Sequence, residues 1–219
     1  MNDSLAQLAR VDREVGTRTV DGREVRTTVL RRTYDTTIDD LWDACTTAER
    51  IARWLTPVSG DLRLGGRFQL QGNAGGVVER CEPPRLLAVT WESGGDVSWV
   101  EVRLSPAPAG QTHFQLEHLA EVDQQRWEEF GPGAVGVGWD MALLGLSLHL
   151  SGNEISGPEA AAAWMASQEG REFMGTSGER WHDAHLASGE DPGTVRASAD
   201  RTIAAYTAQP PTEEPAEQD

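Results

Sequence analysis

One histidine stands where it could do chemistry. In THFQLEH, which starts at Thr112, strand alternation puts Phe114, Leu116 and His118 on one side. An imidazole on an apolar face can orient a ligand hydroxyl or move a proton; the plainer alternative is a core histidine bonded to a backbone carbonyl. Asp140 lies in an apolar helical stretch beside Trp139. Pairing with an arginine such as Arg53 or Arg67 is favoured there over catalysis. Glu79 and Arg80 straddle a strand of undecided parity, so one of them points inward or both are solvated. In RWHDAH, His182 and His185 flank Asp183 three residues apart, which puts both imidazoles near one helix face. No third ligand accompanies them, so they read as surface residues and no metal is expected. Gly136 and Gly138 lie inside a helix rather than after a strand, as spacers for a close approach of helix to sheet instead of a phosphate loop.

The composition narrows the chemistry further. All 19 basic residues are Arg, so Schiff-base and Lys-dependent phosphate chemistry are excluded. No Gly-x-Ser-x-Gly or His-Glu-x-x-His occurs. Cys45 and Cys81 are too few for a disulfide scaffold and lack metal-ligand spacing; both are expected reduced, in a cytoplasmic protein. No acid, base and nucleophile can be assembled, so no catalytic residue is assigned, His118 is the one candidate, and no cofactor is expected. A net charge of −16 argues against nucleic acid as a partner. The opening NDSLAQLARVDREVG lacks a signal-peptide pattern. The apolar run Ala134 to Leu150, broken by Asp140 and His149, is shorter than the roughly 20 residues of a membrane span.

The elements that must position these residues follow from periodicity. Residues 24–34 alternate with β-branched side chains, and Asp35-Thr36-Thr37 offers a cap to IDDLWDACTTAERIARWL, a pair of short helices. Six short segments follow as strands: DLRL, RFQLQG, GVVERCE, LLAVTWE, VSWVEVRLS and THFQLEHLA. After Gly131-Pro132-Gly133 comes a long helix with Val135, Trp139, Leu143, Leu146 and Leu150 on one stripe. The order describes an α+β, helix-grip fold: a curved antiparallel sheet of about seven strands wrapped around the long helix. The chain divides into an N-terminal segment 1–23, the helix-grip domain 24–150, a helical extension 151–208 and an acidic tail 209–219 expected to be disordered. In the extension AAAAWMASQEGREFM, SGERWHDAHLAS and ADRTIAAYTA read as helices, with Trp164, Phe173, Trp181, Leu186, Ile203 and Tyr206 as anchors. Packing within the chain is favoured for them over a dimer or partner contact.

Residues 24–150 resemble the heat-shock-protein-90 ATPase activator homologue family within the START-like (SRPBCC) superfamily. The resemblance is carried by LWDACTTAERIARWL, DLRLGGRF, CEPPRLLAVTWE and FGPGAVGVGWDMALLGL, and it covers about 60% of the chain. Such folds host transport, cyclisation and protein binding. Parity supplies a candidate cavity wall: Trp42, Trp54, Phe68, Leu70, Val89, Trp91, Leu104, Leu116, His118, Trp139 and Leu143, with Leu87, Val100 and Val102 on the same face. The alternative is that these residues simply fill the core. Eight Trp suit a wall that meets a ring-bearing ligand. The expected function is therefore binding of a small apolar or aromatic molecule between sheet and helix. Two alternatives stand beside it. One is a chaperone-regulator-like module with a protein partner or a homodimer. The other is a polyketide-cyclase-like enzyme in which His118 assists enolisation or dehydration.

Overall fold

A computed structural model describes residues 3–20, 22–121, 124–155 and 157–208; the acidic tail from Gln209 lies outside them. Its eight strands are β1 (Asp12–Val20), β2 (Arg23–Tyr34), β3 (Val58–Gly60), β4 (Arg67–Leu70), β5 (Gly75–Glu82), β6 (Leu86–Ser93), β7 (Asp96–Pro106) and β8 (Thr112–Ala120). They form one sheet in the order β1-β2-β8-β7-β6-β5-β4-β3, every neighbouring pair antiparallel. Helices α2 (Ile38–Thr46) and α3 (Ala48–Trp54) follow β2, and the Thr37 hydroxyl caps α2 by accepting from the Asp40 N–H. The long helix α5 (Gly133–Leu150) is where the sequence places it.

Four elements differ from the sequence reading. A short helix, α1 (Asp3–Leu8), lies in the segment set apart as N-terminal. The sheet gains β1 from the segment set apart as N-terminal. As an edge strand β1 buries only Val15, so its sequence shows no apolar alternation. DLRL is not a strand. The Asp61 carboxylate accepts from the Arg63 backbone N–H and guanidinium, which turns the chain, and pairing falls instead on β3, just before it. A further helix, α4 (Gln124–Phe130), precedes α5. The undecided parity of Glu79 and Arg80 also has a cause: β5 carries a register shift between Val78 and Arg80, and both side chains are exposed.

The extension forms α6 (Pro158–Ala166), α7 (Gln168–Ala187) and α8 (Pro192–Thr207). The break expected after Met174 falls instead at Ser167, whose hydroxyl caps α7 by accepting from Gly170 N–H. Gly178 lies inside α7, where a Cβ would meet Ile203 Cγ1 of α8 at 2.3 Å, so the glycine admits the close approach of α8. Phe173 and Trp181 are buried in the same core as Leu30, Leu41, Leu143 and Leu146, so the extension packs on its own chain; Leu186, expected as an anchor, is exposed. Gly136 serves this packing rather than an approach to the sheet: a Cβ there would lie 2.3 Å from the Trp181 ring. Helix α5 is therefore covered on both sides, by the sheet and by α7. It is the one described helix long and apolar enough to cross a membrane, and most of it is buried within the fold. In its first turn Gly133 and Gly136 are buried against the extension, and Val135, expected on the buried stripe, is exposed.

A buried ionic knot fastens these layers. The Asp140 carboxylate on α5 accepts from Arg13 of β1 through Nε at 3.0 Å and NH2 at 2.7 Å. It also accepts from the Ser177 hydroxyl at 2.6 Å and the Trp181 indole at 2.9 Å, both on α7. Burial pushes the Asp140 pKa up, against the Arg13 charge and the three donors, which favour the carboxylate. The pairing candidates named from sequence lie elsewhere: Arg53 faces Glu154 and Arg67 faces Glu92. Arg13 stands 127 positions from Asp140, beyond any local pattern.

Candidate ligand cavity

Between the sheet and α5 lies an apolar cavity of about 130 Å³. Strand alternation builds its floor: Phe68 and Leu70 from β4, Leu87, Val89 and Trp91 from β6, Val100 and Val102 from β7, Phe114 and Leu116 from β8. Helix α5 adds Trp139, Ala142 and Leu143, and the α2–α3 pair adds Cys45, Thr46, Ile51, Trp54 and Leu55. Val58, Leu62, Val78 and Cys81 complete the wall. Eight of the eleven wall residues expected from sequence line this space: Trp54, Phe68, Leu70, Val89, Trp91, Leu116, Trp139 and Leu143.

Trp42, Leu104 and His118 do not. Trp42 is half-buried on a face of α2 that packs against the core without reaching the cavity. Leu104 is buried on the inner face of β7, toward its far end, as ordinary core. His118 sits behind Trp139. Its Nδ1 accepts from the Trp139 indole N–H at 3.0 Å, and its Nε2 lies 2.8 Å from the Ser98 hydroxyl. With Nδ1 accepting, the neutral tautomer carries its proton on Nε2 and donates to Ser98 Oγ, which donates in turn to the Trp91 carbonyl at 3.1 Å. Burial lowers the imidazole pKa to about 4, so the ring is neutral near pH 7. Its partners are an indole and a hydroxyl, not a backbone carbonyl.

The effect on the cavity is to consume most of its polar handles, the Trp91 indole N–H being left without a partner among the described residues. The Trp139 indole N–H is spent on His118, and that of Trp54 on the Ala44 carbonyl at 2.9 Å. The Thr46 hydroxyl donates to the Trp42 carbonyl at 2.7 Å. Trp91 and Trp139 pack at a tilt of 52° with ring centres 5.0 Å apart. Both cysteines are free, and burial pushes the Cys45 thiol pKa up to about 12, which keeps it protonated. The wall thus offers shape and dispersion contact, with no group that ionises near pH 7 facing in from the acid or base classes. Cys45, Ile51 and Leu55 come from IDDLWDACTTAERIARWL, whose helical pattern gives no sign of which turn faces the sheet.

The histidine pair of α7 separates. His185 is buried, edge-on to Trp127 at 5.1 Å, where the sequence reading has a surface residue; His182 Nδ1 lies 3.1 Å from Asp183 Oδ1. Among the described residues no group of three or more His, Cys, Asp or Glu is placed to hold a metal.

A sheet that grips a long helix across an apolar space defines a START-like, helix-grip protein. The sequence profile described as "Activator of Hsp90 ATPase homolog 1-like protein" matches residues 35–150, more than half of the chain, and the chain belongs to this family. Among solved structures, the crystal structure of CalU16 from Micromonospora echinospora is 37% identical, covers 80% of this chain and 98% of its own, and superposes with a TM-score of 0.65. The solution structure of CalU16 gives 38% identity, coverage of 81% and 96%, and a TM-score of 0.67. MLL2253 from Mesorhizobium loti is 26% identical over 57% of this chain and 97% of its own, with a TM-score of 0.52. No curated protein matches the chain. The CalU16 match reaches well beyond residues 35–150, so CalU16 has counterparts to part of the flanking segments.

Proposed function

We propose that this protein binds a small apolar molecule, ring-sized and uncharged, in the cavity between sheet and α5, and does not convert it. The observation that carries the reading is the wall itself: almost wholly apolar, with the indole N–H groups of Trp54 and Trp139 and the Thr46 hydroxyl already spent. A cavity of about 150 Å³ admits benzene, and this one is close to that size. The cyclase-like alternative needs a proton carrier at the ligand. His118 is separated from the cavity by Trp139, and both ring nitrogens are engaged. A cytoplasmic location belongs to the same reading and is supported by the two free thiols.

The test is titration with toluene, followed by the NMR signals of the tryptophan indole N–H groups. The Trp139 signal is expected to shift saturably. Val89→Phe, which fills the space from β6, should abolish the shift while the protein stays folded. Equal shifts in both proteins, or none in the unmutated one, would overturn the reading.

A further inference from the structure

Outside the cavity, α6 is an anomaly. Its sequence PEAAAAWMA has one charge, Glu159, yet no residue of the helix is buried, and Met165 is 39% exposed. An apolar helix ordinarily buries a face. Beneath α6 runs a groove of about 440 Å³, walled by Met141 and Leu148 of α5 and by Ala161 and Trp164 of α6. Trp54, Leu55 and Ala142 line both this groove and the cavity, so a single layer of side chains is all that divides the two spaces. The attachments of α6 are asymmetric. Its C-terminal end is tied to α7, with Trp164 edge-on to Phe173 at 5.5 Å and the Trp164 carbonyl pressed on Gly170, where a Cβ would lie 2.1 Å away. Its N-terminal end follows Gly152 and Gly157, both at positive φ, where glycine turns without strain.

We infer that the ligand site is bipartite. A ring-sized head fills the cavity, a flexible apolar chain leaves it past Trp54, Leu55 and Ala142, and α6 closes over that chain in the groove. The inference rests on the cavity being the ligand site and adds the ligand class: an aromatic head bearing an alkyl-like tail. Size supports it, since ligand pockets commonly enclose about 300–1,000 Å³ and the cavity alone holds about 130 Å³. The groove-facing side of α6, with Ala161 and Trp164 half-buried and Met165 exposed, then has an occupant to cover. The extension thereby has a role in ligand binding rather than in packing alone.

The experiment compares toluene, propylbenzene and pentylbenzene by NMR titration of the full chain, unmutated and as Ala161→Glu. Affinity in the unmutated protein should rise about fourfold for each added methylene, the equivalent of about 0.8 kcal/mol. Ala161→Glu puts a charge into the groove from an exposed helix. It should leave toluene affinity within about twofold and cut the gain per methylene to below about twofold. Met165→Glu, from the same helix, should do the same and carries the test if the first variant fails to fold. Toluene binding with no dependence on chain length, or with a dependence that both variants retain, overturns the bipartite site and leaves the cavity reading standing. Absence of toluene binding to the unmutated chain overturns both.

Discussion

Replacing Asp140 by Leu would strand the Arg13 guanidinium, whose side chain is 5% exposed, without a counter-charge. Breaking a buried pair in this way costs about 3–5 kcal/mol. The Ser177 hydroxyl and the Trp181 indole lose their acceptor at the same time. Each orphaned donor alone costs about 1–3 kcal/mol. The terms overlap, because both donors use the Oδ2 atom that Arg13 Nε also uses, so they do not add in full. A total of about 4–6 kcal/mol is expected. With a urea slope of about 2–3 kcal/mol per molar, the midpoint falls by about 2 M. The assay is urea unfolding followed by tryptophan fluorescence. The double variant Arg13→Met with Asp140→Leu removes the stranded charge and should recover at least half of the loss. A single-variant loss under about 1 kcal/mol, or a double variant no better than the single, would refute the claim that this knot joins β1, α5 and α7.

Other expected outcomes concern the cavity wall and the extension. His118 has its pKa lowered from 6.5 to about 4 by burial, so between those values the unfolded chain binds more protons and stability rises with pH. About 3 kcal/mol should be lost as pH falls from 6.5 to 4, and a stability-against-pH profile of His118→Gln should be flatter by most of that amount; parallel profiles would contradict the assignment. Leu143→Ala, in a side chain 2% exposed, should cost about 2–5 kcal/mol by urea unfolding, and a near-zero change would mean that α5 is wrongly phased. Truncation before Gly157 removes Phe173 and Trp181 from the core and should lower the melting temperature or change the mass in solution, whereas removing residues from Gln209 onward should leave the melt unaltered.

How much of this was readable in the sequence depended on how far apart the cooperating residues stand. Alternation in β6 and β8 is local, so Leu87, Val89 and Trp91, and likewise Phe114 and Leu116, could be aimed at the helix correctly. The same alternation put His118 inward, and it is inward, but nothing in the period of two says that an indole from α5 will stand in front of it. Edge strand β1 buries too little to announce itself. Its Arg13 finds Asp140 only once the sheet is formed, so the pairing with Arg53 or Arg67 had equal standing in sequence. Gly136 reads as a spacer toward the sheet, and it, Gly170 and Gly178 each mark a place where a neighbouring helix comes too close for a side chain. The family could be named from its motifs; the ligand could not, because the fold positions a space whose wall is almost wholly apolar and gives little sign of what it recognises.

The central claim is that the apolar cavity holds a ligand without converting it, and native mass spectrometry of the chain purified from its own host tests it most directly. The account predicts an added mass of one small molecule, released on unfolding, unchanged after prolonged incubation with the protein, and missing from the Val89→Phe variant produced in the same host. A bare protein mass in both, or a bound molecule that the protein transforms, would contradict it.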